Sequence, residues 1–185
     1  MSIKPPGTET RSIGIVLERR KVDNPWIDHS WRPVQILLGQ PASPRWTRLA
    51  AGDGWEWYFA GQAELALYRH ETENYQFNLD STQPSIWVFL RQDGESEHGI
   101  ELFGATVDPG EAQAHNDTGD DLVESIAMPD DIVAWVSGYI QSHPPARPYR
   151  KRKRTRADPE ALALRPRVRP RLYESDPLRQ MPEDE

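Results

Sequence analysis

The chain of 185 residues has no cysteine. That absence removes disulfides, thiolate metal sites, iron–sulfur ligation and a cysteine nucleophile from consideration. Long apolar runs are missing as well. Near the N-terminus the only such stretch is Ile13 to Leu17, interrupted by Gly14 and ended by Glu18, too short for a signal sequence or a membrane span. These features predict a cytoplasmic protein without membrane insertion. Glycine is not arranged in any phosphate-binding loop, dinucleotide fingerprint or G-x-S-x-G elbow, which disfavours the common nucleotide enzymes and hydrolases. The five histidines, His29, His70, His98, His115 and His143, show no H-x-H or H-E-x-x-H spacing. The oxygen-rich run Asn116 to Asp121 lacks the alternating ligands and terminal Glu of a calcium loop. No catalytic constellation, metal site or cofactor is therefore assigned, and the protein is read as a non-enzyme.

What the chain does have is segregated charge. Residues 1–145 carry 10 basic and 22 acidic residues, net −12, whereas residues 146–172 carry 11 basic and 2 acidic, net +9. The last thirteen residues return to net −4. The sequence is accordingly read as a leader over 1–11, a globular head over 12–145 and a disordered arm over 146–185, basic first and acidic at its end. After Pro144 and Pro145 the composition shifts to proline and arginine, too poor in large apolar side chains to offset ordering costs of roughly 1–2 kcal/mol per residue.

Within the head, short segments rich in β-branched and aromatic residues predict seven strands: Ser12–Arg19, Trp31–Leu38, Trp55–Phe59, Glu64–His70, Tyr75–Leu79, Ser85–Arg91 and Ile100–Val107. The expected fold is mainly β, an antiparallel sandwich or partly open barrel. Period two places Trp55, Trp57 and Phe59 together as core candidates, and Ala60-Gly61-Gln62 is read as a hairpin turn into Glu64–Tyr68. The polar stretch Asp108–Glu124 is read as a long mobile loop. One amphipathic helix is predicted after Pro129, with Ile132, Trp135, Val136, Tyr139 and Ile140 on one face and Asp130 and Asp131 at its start.

Of the seven tryptophans, Trp31, Trp55, Trp57, Trp87 and Trp135 fall within apolar periodicity and are expected to pack in the core. Trp26 and Trp46 lie in proline-flanked, loop-like sequence and are the candidates for partner binding. Arg19, Arg20 and Arg32 form a candidate anion site for a phosphate or carboxylate. In the arm, Arg150, Lys151, Arg152, Lys153 and Arg154, with Arg165, Arg167 and Arg169, are the candidate partner-binding cations. A solvated polybasic run is the plain alternative. Against nucleic acid stand the net −12 of residues 1–145 and the sparse aromatics, Tyr149 and Tyr173 alone flanking the run. An acidic protein partner fits better, since opposite charge speeds encounter. A small module binding a phosphate-bearing cofactor in a barrel mouth is the second reading, and nucleic acid the third.

The string Ser12-Ile13-Gly14-Ile15-Val16-Leu17-Glu18-Arg19-Arg20, then Asn24-Pro25-Trp26, Trp31-Arg32-Pro33-Val34, Pro129, Ala134-Trp135-Val136 and Lys151-Arg152-Lys153-Arg154 before Ala157-Asp158-Pro159, resembles a proteobacterial domain of unknown function. The resemblance spans residues 11–160. Members of that family are typically encoded beside molybdenum-dependent formate dehydrogenases. The resemblance implies a molybdoenzyme subunit or its maturation machinery as the partner, in an accessory or small-subunit role. It supplies no activity and no catalytic residues.

Overall fold

The computed structural model describes residues 7–25, 27–39 and 43–145, all within the compact unit Met1–Arg147. Seven strands and three α-helices follow in the order β1 (Glu9–Lys21), β2 (His29–Leu38), β3 (Thr47–Gly52), β4 (Trp55–Leu67), α1 (Thr72–Leu79), β5 (Ser85–Gln92), β6 (Ile100–Thr106), α2 (Pro109–Thr118), β7 (Asp121–Ala127) and α3 (Asp130–Ser142). The strands make two antiparallel sheets, β2-β1-β4-β3 and β6-β5-β7. The sheets approach each other where β4 meets β6 and where β2 meets β7, yet no ladder joins them. The head is thus mainly β, as its composition predicts, and of the two expected arrangements it takes the unclosed two-sheet one.

Alternation along the strands sorts the core. Ile13, Ile15 and Leu17 of β1 and Leu65 and Leu67 of β4 face Ile86, Val88 and Leu90 of β5, all at most 1% exposed. Each such side chain contributes roughly 1.5–3 kcal/mol on burial. The predicted amphipathic helix is α3, and it adds Ile132, Val136, Tyr139 and Ile140 to the same core. Its cap position is Pro129, with Asp130 and Asp131 in the first turn near the helix dipole's positive end. Further along α3 the Trp135 indole donates to Glu9, and in the last turn the Tyr139 hydroxyl donates to the Gly7 carbonyl.

Several local expectations are corrected. Order reaches back to Glu9, so residues 9–11 belong to β1 rather than to a leader; the rest of that leader and the arm lie outside the described residues, apart from Gly7 and Thr8. The Tyr75–Leu79 segment is helical: Tyr75 and Leu79 recur four apart, and the buried Asn78 side chain bonds the backbone of Ser85 and Val107 from that helix. The Asp108–Glu124 stretch is not a loop. It folds as α2 and the start of β7, because Asp108 accepts from the N–H groups of Gly110 and Glu111, Pro109 sits in the first turn, and Gly119 closes the helix at φ 72°. Its apolar stripe is nearly absent, so only the caps announce it. The edge strand β3 went unpredicted because its apolar content is slight.

Residues Trp55 to Leu67 form one strand, not a hairpin. Ile15 pairs with Gly61 and Val16 with Phe59, which leaves Ala60 as an extra residue, a β-bulge. The bulge inverts the alternation. Ala63, Leu65 and Leu67 face the core, and beyond Ala60 the core side passes to the even-numbered Tyr58 and Glu56. Trp55 and Trp57 are thereby turned to the outer face, against the expectation of a core role. In β2 the extra residue is Val34, between Gln35 paired with Val16 and Pro33 paired with Leu17. Pro33 is tolerated there because β2 is an edge strand. None of the described tryptophans is fully buried; Trp31, Trp46 and Trp135 pack against the core's margin.

Candidate functional site

The C-terminal end of β1, remote from α3, gathers four arginines around two carboxylates, one group on each face of the sheet. On the outer face Glu18 pairs across to Arg32 on β2 and Trp57 on β4. Its side chain is only 4% exposed. Arg20 Nε donates to Oε1 at 2.9 Å and Nη2 to Oε2 at 3.3 Å, Arg32 Nε donates to Oε1 at 2.9 Å, and Trp57 Nε1 donates to Oε2 at 3.1 Å. The Arg20 bonds, reinforced by Trp57 and Arg32, hold the carboxyl down at about 2 despite its burial. Two guanidinium groups share one carboxylate, and both remain about half exposed. Their unused N–H groups therefore present a net positive charge to solvent.

On the opposite face Arg19 pairs with Glu56, which also receives Arg48 Nη1 at 3.2 Å and the Tyr58 hydroxyl at 3.1 Å. Arg19, foremost, with Arg48 and Tyr58, lowers the Glu56 pKa. The Arg19 guanidinium carbon lies 5.6 Å from the centre of the Tyr58 ring. A cavity of about 220 Å³, lined by Arg19, Lys21, His29, Trp55 and Glu56 among others, opens beside this pair.

Tyr58 also belongs to an aromatic cluster. His98, on the β5–β6 connection, sits 4.5 Å from Trp46, 5.0 Å from Tyr58 and 6.0 Å from Trp31, ring centre to ring centre. Trp46 reaches Trp31 edge-on at 5.7 Å. Trp46 has φ 63°, and among the described residues it is the one non-glycine in the left-handed region. Its N–H donates to the Phe59 carbonyl. Arg19 Nε and His98 Nδ1 are the two buried side-chain nitrogens without a hydrogen-bond partner among the described residues. Both groups flank Tyr58. An unpaired buried polar group costs about 1–3 kcal/mol, so these two nitrogens lower the stability of the packing around Tyr58.

Of the residues singled out in the sequence, Arg20 and Arg32 are brought onto one carboxylate, while Arg19 faces the other way. Trp46 joins Trp31 rather than standing alone in a loop. Trp26 lies outside the described residues, as do Arg150, Lys151, Arg152, Lys153, Arg154, Arg165, Arg167 and Arg169. Glu18, Glu56, Tyr58, Arg48 and His98 were not singled out as site residues. The alternation Glu18-Arg19-Arg20 was a usable signal for the hub; nothing local in the sequence points to His98. Among the described residues no three His, Asp or Glu side chains are grouped to hold a metal ion, and no helix is long and apolar enough to cross a membrane.

A second buried carboxylate lies on the other sheet. Asp121, its side chain 2% exposed, accepts Arg91 Nε at 2.8 Å and Nη2 at 3.1 Å, and His115 Nδ1 lies 2.8 Å from Oδ2. Arg91, then His115, lowers its pKa.

The chain belongs to a family described as protein of unknown function (DUF3305), whose model matches residues 12–153. No curated protein and no solved structure matches it.

Proposed function

We propose that this member of the DUF3305 family is a non-catalytic accessory protein that docks on an acidic surface of a larger partner. The observation that supports this most is local charge: at the end of β1, Arg19, Arg20, Arg32 and Arg48 gather on Glu18 and Glu56, a surplus of two positive charges within residues 1–145, whose net charge is −12. Fixed guanidinium groups, two of them buttressed by a buried carboxylate, are pre-organised for a carboxylate-rich surface. Half-buried indoles beside them supply contact area at low entropic cost. The basic sequence over 146–172 carries the same sign and adds long-range attraction.

The partner we propose is a molybdenum-dependent formate dehydrogenase or its maturation machinery, in keeping with the resemblance set out above. Affinity purification of the tagged full chain from native cells tests both halves of the reading. A formate dehydrogenase subunit should be recovered, and recovery should fall about ten-fold when Arg20 and Arg32 are both changed to Gln or when residues 146–185 are removed. Recovery that withstands both changes, or recovery of no such subunit, would sink it.

A second reading is favoured by the Glu18 hub itself, since two guanidinium groups fixed side by side also suit a phosphate group. In that case a phosphate-bearing cofactor copurifies with the head and is lost with Arg32→Ala. Mass spectrometry of the purified protein separates the two.

A further inference from the structure

β4 beyond Ala60 is paired on one side only, by β1, and β6 is paired only by β5. Their free edges run side by side in the same direction, and the seam between them holds two cavities. Arg45, whose Nη2 donates to the Leu102 carbonyl and Nε to the Ala60 carbonyl, spans the seam at the first cavity, of about 720 Å³. Phe103, 53% exposed on β6, lines both cavities and carries the Arg91 guanidinium 4.0 Å from its ring centre. This ring already holds a cation.

The second cavity, of about 280 Å³, has a different chemistry. Its polar lining includes Glu64, Tyr68, Glu111 and His115, its aromatic lining Phe89 and Phe103, and among the described residues neither lysine nor arginine lines it. Glu111 and His115 are four apart on α2 and so share a helix face. His115 stacks on Phe89 at 4.0 Å with 24° between the planes. Asp121, doubly bonded by Arg91, is an ionised carboxylate and can only accept, so His115 Nδ1 donates to it. In the neutral ring Nε2 is then an acceptor. Carboxylates, an imidazole acceptor and π faces therefore line a pocket bearing no cationic side chain of its own beyond what the imidazole can supply.

We propose that this seam cavity binds an organic cation, a guanidinium or alkylammonium group, with Glu111 as its counter-ion, Phe103 as its π wall and Asp121 holding His115 in the accepting tautomer. This site is opposite in sign to the arginine-rich end of β1 and stands independently of the docking reading. The cation is supplied by a free amine or by a basic side chain of another protein, and the two sources share this chemistry.

The test titrates the full chain with agmatine at constant ionic strength, following the His115 Cε1–H resonance by NMR, with His115→Gln to assign it. A saturable shift with millimolar affinity is expected, weakened about three-fold or more by Glu111→Gln and about five-fold by Phe103→Ala. Acetyl-Gly-Arg-Gly-amide, titrated in parallel, should match agmatine when the source is a protein side chain and fall well short of it when the source is a free amine; either result sustains the site. Absence of a saturable shift up to about 50 mM agmatine, a shift that Glu111→Gln leaves unchanged, or an equal shift with sodium acetate would overturn it. Glu111 is exposed, so that variant reports on binding without loss of the fold.

Discussion

Glu18 and Asp121 are both buried carboxylates gripped by a two-pronged arginine, one on each sheet, and they differ in the third partner. At Glu18 the additional groups are a second arginine and an indole N–H; at Asp121 the additional group is an imidazole stacked on Phe89. The same core device thus yields opposite surfaces. Around Glu18 positive charge is left over and faces outward, whereas around Asp121 the positive charge is used up and an acceptor-rich cavity lies next to it. A buried acid by itself says little about function; what it leaves unpaired around it says more.

The largest disruption should come from inserting one alanine between Tyr58 and Phe59. With the Val16–Phe59 pair kept, the extra residue turns Trp55 and Trp57 toward the core side and Tyr58 and Glu56 away from it, so the Glu18 hub and the Glu56 network are both lost while Asp121 is untouched. We expect destabilisation beyond about 4 kcal/mol, seen as loss of the cooperative denaturant transition. Retained cooperativity with an intact midpoint would show that register is not set there.

Glu18→Gln comes next. It leaves Arg20 and Arg32 facing each other without a counter-ion, and should cost about 2–3 kcal/mol by chemical denaturation, below the full cost of breaking a buried pair because both guanidinium groups are half exposed. Asp121→Asn should cost less, about 1–2 kcal/mol, because it strands one guanidinium group rather than two and Arg91 keeps its stacking on Phe103. Equal losses at the two sites would erase the distinction between them.

Acid titration gives the smallest and most selective contrast. Glu18 is depressed from 4.5 to about 2, so its contribution is fully present above pH 4.5 and is lost as the pH falls toward 2. Asp121, lowered from 3.8, also loses its contribution on acidification, as the pH falls below that value. The stability of Glu18→Gln should therefore fall less steeply than that of the native chain between pH 4.5 and 2. Parallel slopes would mean that the hub does not hold its proton off.

Much of the architecture is legible in the chain. The mainly β composition, the strands around Ile13, Ile86 and Ile100, and the helix after Pro129 follow from spacing alone, because each is a period of two or of three to four that burial on one face demands. The misread segments are those where another signal carried the structure. α2 is set by Asp108, Pro109 and Gly119 at its ends rather than by an apolar stripe, and α1 by the fixed bonds of Asn78. Of the candidate site, the arginines were visible, while Glu56, Tyr58 and His98 were not, since cross-strand neighbours leave no local spacing to read.

The sequence by itself determined the separation of charge between head and arm, the exclusion of cysteine chemistry and the mainly β composition, all one-dimensional properties of residue type and order. Only the tertiary structure decided which arginines work together. Bulges at Val34 and Ala60 invert the alternation of β2 and β4, so that Arg32 and Trp57 meet Glu18 on the outer face while Trp31, Glu56 and Tyr58 gather with Arg19 on the other. An extra residue in a strand changes the face of every residue beyond it, and its position is fixed by pairing with a partner strand tens of residues away.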